Sequence, residues 1–106
     1  DGAYHQGTVW PWLVGAFVEA WLRVRADTTE NQIEAASRFL GPLLRHYDVS
    51  APGHVAEIAD GDAPHAPGGC PFQAWSVGEA LRVVEGVLRS TSGALQHAPA
   101  AFARAG

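Results

Sequence analysis

Glu57 is the acidic residue whose sequence neighbours best suit acid–base chemistry. It lies within the apolar run VAEIA at residues 55–59. Apolar surroundings disfavour the charged form of a carboxylate, so this run predicts a raised pKa, and a carboxylate that is held in place can act as a general acid or base. The same residues also fit an exposed acid in an acidic loop. The neighbours of Glu57 therefore leave a catalytic and a purely solvated interpretation open.

A second group of candidates lies in the segment YHQGTVWPW at residues 4–12, called the first motif below. It combines aromatic faces, which stack on the C–H faces of sugars, with His5 and Gln6, which offer hydrogen bonds to hydroxyl groups. Trp10 falls on an apolar helical stripe, which favours packing in the core, whereas Trp12 lies off it. The motif predicts a sugar-binding surface that includes Trp12, although His5 and Gln6 also fit ordinary exposed residues.

The spacing of possible ligands does not favour a metal site. The turn DGD at residues 60–62 lacks the further ligands and the closing glutamate of an EF-hand. Possible zinc ligands are Cys70, His5, His46, His54 and His65. No two of them stand at a spacing such as CxxC or HxxxH, and a place near a helix start is all that favours Cys70 as a nucleophile. We therefore expect no metal and no cofactor.

Composition and charge limit the partners of the chain. The 106 residues are 47% apolar, which predicts a packed interior. The net charge is −4 and the seven basic residues are scattered, so nucleic acid is not expected as a partner. A single cysteine fits a reducing compartment, so we expect a cytoplasmic protein. The longest apolar stretch, residues 9–22, is too short and interrupted for a membrane span or signal sequence.

Apolar periodicity predicts an all-α chain with three main helices, over residues 9–26, 29–47 and 71–90. In the first, Thr8 is the expected N-cap. Its apolar stripe comprises Trp10, Leu13, Val14, Phe17, Trp21 and Leu22. The absence of methionine, position 1 included, predicts a piece of a longer protein, with stripes that were made to pack against missing neighbours. An isolated piece is therefore expected to self-associate.

The other two helices have their own boundary signals. Thr29 and Gln32 form a capping-box pattern at the start of the second, and Gly41-Pro42 is expected to kink or split it. Pro71 suits the start of the third, in which one face carries Val77, Leu81, Val84 and Leu88. Residues 48–70 between them predict a long loop with a short extended piece at 54–58, and loops of this length are usually functional.

The order of these elements predicts where the unusual residues meet. The first and third helices run in the same direction while the second returns between them, so both of their N-terminal ends open at one end of the fold. The long loop finishes at that end as well. Residues 4–12, 48–70 and 70–75 are therefore expected to converge on one rim.

Three motifs together resemble the C-terminal end of glycogen debranching enzymes, their amylo-α-1,6-glucosidase domain. They are YHQGTVWPW at residues 4–12, EIADGDAPH at 57–65 and GCPFQAWS at 69–76. Each motif alone is a weak signal, but their order and spacing over most of the chain are specific. The resemblance implies an (α/α)6 toroid, in which the first and third helices are inner, the second is outer, and the rest of the barrel lies upstream as the partner of this piece.

The resemblance also implies an activity and the residues that perform it. The family hydrolyses the α-1,6-linked glucose at a glycogen branch with two carboxylates, of which one protonates the leaving oxygen and the other activates water. Glu57 matches the base of this inverting reaction, and the acid is an Asp on an earlier helix that this chain does not contain. Substrate contacts are expected from His5, Gln6, Gln73 and Trp75, with Trp12 as a further candidate.

Two other functions remain open at this stage. The near alternative is another (α/α)6 glycoside hydrolase, such as a glucoamylase or trehalase relative. The distant alternative is a non-catalytic helical module that binds carbohydrate or mediates assembly. About nine further helices and an Asp-bearing motif upstream would favour the enzyme, because a full toroid needs them. The isolated piece is expected to be inactive, since it lacks the acid.

Overall fold

The computed structural model describes residues 2–50 and 53–88, and for 46–50 the backbone alone. The elements, in chain order, are a 3₁₀ turn at Pro11–Leu13, α1 at Val14–Arg25, α2 at Thr29–Ala35, a π-helical segment at Ala36–Leu40, α3 at Gly41–Ser50, β1 at Ile58–Ala59, β2 at Pro67–Gly68, α4 at Ala74–Arg82 and a second π-helical segment at Val83–Val87. The described residues are therefore mostly helical, as predicted. They also contain a small two-stranded sheet, which was not predicted.

The first helix begins later than its apolar pattern indicates. Trp10 is the residue before the 3₁₀ turn and makes no side-chain capping bond. Thr8 does not act as the N-cap, because its hydroxyl donates to the carbonyl oxygen of Ala3 at 2.6 Å. The helix ends at Arg25, where Ala26 adopts a positive φ of 76° that α-helical geometry does not allow.

The buried side of α1 differs from the predicted stripe. Val18 is completely buried, whereas Leu13 and Phe17 are 47% and 52% exposed. Residues 10–13 are not α-helical, so a count of 3.6 residues per turn does not apply to Trp10 and Leu13. The predicted Val14, Trp21 and Leu22 do pack in or against the core, on the same face as Val18.

The second helix begins at Thr29, as predicted, but its N-cap is a different residue from the one expected. Thr28, not Thr29, is the N-cap, and its hydroxyl oxygen accepts from the amide of Asn31 at 3.2 Å. Because Thr28 holds the N-cap position, the predicted box with Thr29 as N-cap does not form, and the Gln32 side chain donates to the carboxylate of Asp27 at 2.6 Å. Thr28 and Asp27, which the predicted pattern did not include, therefore bond to groups in the first turn of this helix.

Gly41-Pro42 does not split the second helix. The chain stays helical from Thr29 to Ser50, and the amide of Gly41 donates to the carbonyl of Ala36, five residues back. A π-helical turn widens the helix just before Pro42, which has no amide to donate and whose ring would crowd the turn before it. The helix also runs beyond the predicted end at residue 47.

The third predicted helix begins at Ala74 instead of Pro71. The amide of Gln73 donates to the carbonyl of Val55 at 2.9 Å, so residues 71–73 still belong to the loop and not to the helix. Val83 and Leu88 are buried, but Leu81, which was predicted on the same face, is exposed. The face of α4 that packs inward carries Ser76 and Ala80. The last two predicted residues of this helix, 89 and 90, lie outside the described residues.

One apolar core joins the three helical segments. Its buried members are Val18, Leu22, Ala35, Ala36, Leu40, Val83 and Leu88. They come from α1, from the helix that includes α2, and from the segment that continues α4. This packing brings the 3₁₀ turn before α1 into contact with α4, so the N-terminal ends of both helices lie side by side.

The loop folds back on itself as an antiparallel ribbon. Ile58 pairs with Gly68 and Ala59 with Pro67, and Ala59 also forms a bridge with Val9 on its other side. The extended piece predicted at residues 54–58 is thus found at the end of that range. Within the described residues, no helix combines the length and the apolar character that a membrane crossing requires.

An ion-pair network links α1 to α4. The Arg82 guanidinium bonds to Glu19 of α1 at 2.9 Å and to Glu79 of its own helix at 2.7 Å. The hydrogen bond from Arg82 holds the pKa of Glu19 below its ordinary value. Because the folded-state pKa is the lower one, this stabilisation is fully present above the unfolded-state pKa and is lost as the pH falls through the folded-state pKa.

We expect Arg82→Gln to lower the free energy of unfolding of the full-length protein by less than about 1 kcal/mol, because the partners are partly exposed. The loss should shrink in about 1 M salt, which screens exposed charges, and at pH values below the folded-state pKa of Glu19. Urea unfolding provides the measurement. Arg38→Gln is the control, since Arg38 pairs with Glu34 four residues before it in the same helical stretch. Equal losses in both variants, independent of salt, would contradict a role in joining the helices.

Candidate functional site

The first motif and the loop are joined by their backbones. The amide of Val9 donates to the carbonyl of Ala59, and the amide of Ala59 donates back to Val9, both at 2.9 Å. On the other side of the ribbon, the amide of Glu57 donates to the carbonyl of Cys70 at 2.9 Å. The motif, the loop and the start of α4 therefore lie together at one end of the fold, as their order predicts.

The carboxylate of Glu57 lies at this junction and has both oxygens bound. The hydroxyl of Tyr4 donates to Oε1 at 2.5 Å, and the backbone amide of Cys70 donates to Oε2 at 3.1 Å. Glu57 itself is partly exposed. Each oxygen retains a lone pair, so the carboxylate can still accept a proton or a hydrogen bond from water.

These donors set the charge state of Glu57. The hydrogen bond from Tyr4, followed by that from the Cys70 amide, holds the pKa of Glu57 below its ordinary value, against the opposing effect of partial burial. The raised pKa that the apolar run predicted is therefore wrong. Val55 and Ala56 are buried in the interior, whereas the carboxylate meets two hydrogen-bond donors. A lowered pKa keeps Glu57 charged at neutral pH, which suits a base and not an acid.

Gly69 gives the carboxylate its space. Its φ is +67°, a left-handed conformation that L side chains rarely adopt, and a Cβ there would stand 2.5 Å from Oε2 of Glu57. Both the backbone conformation and the close approach require glycine. The side chain at position 69 is therefore limited to a hydrogen atom, because any larger one would meet the carboxylate of Glu57.

Five rings form an aromatic cluster beside Glu57, namely Tyr4, His5, Trp10, Trp12 and Trp75. Tyr4 meets His5 and Trp10 edge to face at 4.8 and 4.9 Å between centroids. Trp75 meets Trp10 edge to face at 6.4 Å and stacks on Trp12 at 5.4 Å. Trp75 is 52% exposed, so the cluster presents an aromatic face to solvent.

The structure changes the interpretation of Trp10. This residue was expected to pack in the helical core, but it precedes the helix and is partly buried among the rings of Tyr4, His5 and Trp75. Its plane lies within 9° of the His5 ring at 5.9 Å. Trp10 therefore supports the aromatic cluster instead of the core.

The two predicted amide side chains lie at the edges of this region. Gln6 is exposed next to His5, and Gln73 is partly buried at the N-cap position of α4. Neither side chain is hydrogen-bonded to another described residue, so both can bind a ligand. All six predicted site residues therefore lie on the segments that meet here.

Three features of the site have no clear signal in the sequence. They are the Tyr4 hydroxyl, the Cys70 amide and the space at Gly69. Tyr4 stands 53 positions before Glu57, and no local spacing indicates such a pair. The pair of glycines at residues 68 and 69 could have indicated a close approach of the backbone to another group.

The remaining polar residues of the loop are arranged differently. Asp60 and Asp62 are exposed, and Nδ1 of His65 donates to the carbonyl oxygen of Asp60 at 3.0 Å. Cys70 is an exposed free cysteine. In the part of the chain that the structure describes, no three side chains of His, Cys, Asp or Glu lie close enough together to hold a metal ion.

Comparison with known proteins gives one family. The family model described as amylo-alpha-1,6-glucosidase matches residues 1–82. The match includes the first motif, Glu57 and the whole of α4. No solved structure matches the chain.

We expect Gly69→Ala to destabilise the full-length protein more than Gly53→Ala. Both glycines have a positive φ, so each alanine should cost about 1–2 kcal/mol in backbone strain. A Cβ at Gly53 meets nothing within 4 Å, whereas one at Gly69 meets the Glu57 carboxylate. Denaturant unfolding measures the difference, which should shrink in a Glu57→Ala background. Equal losses in the two alanine variants would contradict the proximity of Gly69 to Glu57.

Proposed function

This chain belongs to the amylo-α-1,6-glucosidase family over residues 1–82, and from that membership we propose that it carries the catalytic base of a debranching enzyme. The complete enzyme hydrolyses α-1,6-linked glucose at the branch points of glycogen or a limit dextrin. The observation that carries the proposal is the Glu57 carboxylate, held by two donors beside an exposed aromatic cluster.

Glu57 takes the proton of the attacking water in this proposal. A base must be deprotonated at the working pH, and the lowered pKa of Glu57 meets that requirement. Its remaining lone pairs are available to a water molecule on the open side of the site. Asp60 and Asp62 lie in an exposed turn without such positioning donors. Glu57 is therefore the best-placed base among the described residues.

The reaction proceeds with inversion, and the acid comes from another part of the protein. An inverting glycosidase holds its two carboxyl groups about 6.5–9.5 Å apart, with room for water between the base and the sugar. The acid is an Asp on an upstream inner helix of an (α/α)6 toroid, of which α1 and α4 are inner members. The upstream helices are thus the structural partner of this chain, and the chain alone is inactive.

The aromatic cluster and the two amides bind the α-glucan. Trp75 and Trp12 supply stacked aromatic faces for the C–H surfaces of glucose, while His5, Gln6 and Gln73 supply hydrogen bonds to its hydroxyls. A surface that joins aromatic faces to free polar groups next to a charged carboxylate fits a neutral sugar better than an ionic ligand. The family match favours the branch-point linkage over those of glucoamylases and trehalases.

We expect Glu57→Gln in the full-length enzyme to lower kcat at least about 100-fold and to leave KM close to the wild-type value, because the loss of a general base affects the transition state. Release of glucose from a limit dextrin measures this. Asp60→Asn and Asp62→Asn are the matched controls, since they remove a charge from the same loop, and they should keep most of the activity. A Glu57→Gln enzyme that retains more than about a tenth of kcat would exclude Glu57 as the base.

Trp75→Ala should raise KM for a branched dextrin roughly five- to tenfold, with a smaller effect on kcat, because an aromatic face that binds the ground state and transition state alike is lost. The control is Phe17→Ala. Phe17 is equally exposed, at 52%, but contacts Phe39 on another face of α1. Equal KM values for the two variants would exclude Trp75 from the sugar-binding surface.

A further inference from the structure

We propose that Tyr4 is a positioning residue, which holds the Glu57 carboxylate in the orientation from which it takes the proton of water. The proposal rests on the function proposed for Glu57. The observation that carries it is a hydrogen bond between residues 53 positions apart, from the Tyr4 hydroxyl to Oε1 at 2.5 Å.

Two donors on two different oxygens fix the carboxylate plane. The last torsion of a glutamate is broad, so one hydrogen bond leaves the group free to turn about it. Tyr4 binds Oε1 while the Cys70 amide binds Oε2 at 3.1 Å, and the backbone of Gly69 lies beside Oε2, close enough that a Cβ there would meet it. Without the Tyr4 hydroxyl, a single weaker donor would remain. The tyrosine therefore decides the direction of the free lone pairs.

Tyr4 is itself held by its surroundings. Its ring lies edge to face with His5 at 4.8 Å and with Trp10 at 4.9 Å. The turn that carries it is closed by the bond from the Thr8 hydroxyl to Ala3 and by the bond from the Gln6 amide to the same carbonyl, at 2.6 and 2.9 Å. The hydroxyl thus starts from a fixed position, so little side-chain entropy opposes its bond to Glu57.

The charge states of the pair agree with this role. The bond to Glu57 raises the pKa of Tyr4 above its ordinary value, so the phenol remains a donor throughout the neutral range. The groups that act on the pKa of Glu57 are the Tyr4 hydroxyl and the Cys70 amide, and no charged side chain of the described residues is among them. Two other titratable side chains stand on the flanking segments, namely the His5 imidazole, which meets the Tyr4 ring edge to face, and the Cys70 thiol.

A base works above its pKa, so a donor that lowers this pKa extends activity to lower pH. Removal of the Tyr4 hydroxyl has two consequences that can be separated. The carboxylate loses its orientation, which lowers the rate at every pH, and its pKa rises, which moves the acidic limb of the pH–rate profile to higher pH. A residue that merely supports the fold would affect the rate without moving the limb.

The test compares Tyr4→Phe with wild type in the full-length enzyme, with kcat/KM for a limit dextrin measured across pH. Phenylalanine keeps the ring contacts to His5 and Trp10 and removes only the hydroxyl. We expect kcat/KM at the optimum to fall about tenfold, as for the loss of one hydrogen bond to a charged group, and the acidic limb to move to higher pH. Tyr4→Leu, which also removes the ring, should lose more activity.

Glu57→Gln separates this inference from the proposed function. If Glu57→Gln abolishes turnover while the Tyr4→Phe profile superimposes on that of wild type, Glu57 is the base and Tyr4 does not position it. If Glu57→Gln retains turnover, both proposals are wrong.

A second readout uses proteins labelled with ¹³C at the tyrosine ring carbon that bears the hydroxyl. The tyrosine signal that has the raised pKa in wild type should titrate at lower pH in Glu57→Gln. An unchanged titration would show that Tyr4 does not bond to Glu57.

Discussion

The pair of backbone hydrogen bonds between Val9 and Ala59 joins two segments that are distant in sequence, and the candidate site depends on this junction. It sets the first motif beside the ribbon of β1 and β2, at a separation of 2.9 Å for both bonds. Tyr4 can reach Glu57 only because of this arrangement. The core formed by α1, α2 and the end of α4 then brings Trp75 to the same place.

The environment of Glu57 shows how one residue can have apolar neighbours in sequence and polar neighbours in space. Val55 and Ala56 are buried, so their apolar surface contributes to the interior and does not enclose the carboxylate. The carboxylate instead meets the Tyr4 hydroxyl and the Cys70 amide. Hydrogen bonds to the charged form lower a carboxyl pKa, whereas an apolar enclosure raises it. This difference decides between a base and an acid.

The sequence was sufficient to predict the three helical segments, because each has enough apolar residues at helical spacing. It was less reliable on their buried faces. Phe17 and Leu81 are exposed although both fell on predicted stripes. The inward face of α4 carries the small residues Ser76 and Ala80, which a count of large apolar residues does not select. The meeting of the three motifs was predictable from helix order, but the bond from Tyr4 to Glu57 was not, since it depends on the pairing of Val9 with Ala59.

The central claim is that Glu57 removes the proton of a water molecule on the face of the sugar opposite the leaving group. The most direct test offers azide to the full-length Glu57→Gln enzyme with an α-linked glucosyl substrate. A small anion that takes the place of the attacking water can attack the same carbon without a base. We expect restored turnover with β-glucosyl azide as the product, identified by NMR. An α-glucosyl azide, or an α-configured glucose released first by the wild-type enzyme, would contradict it.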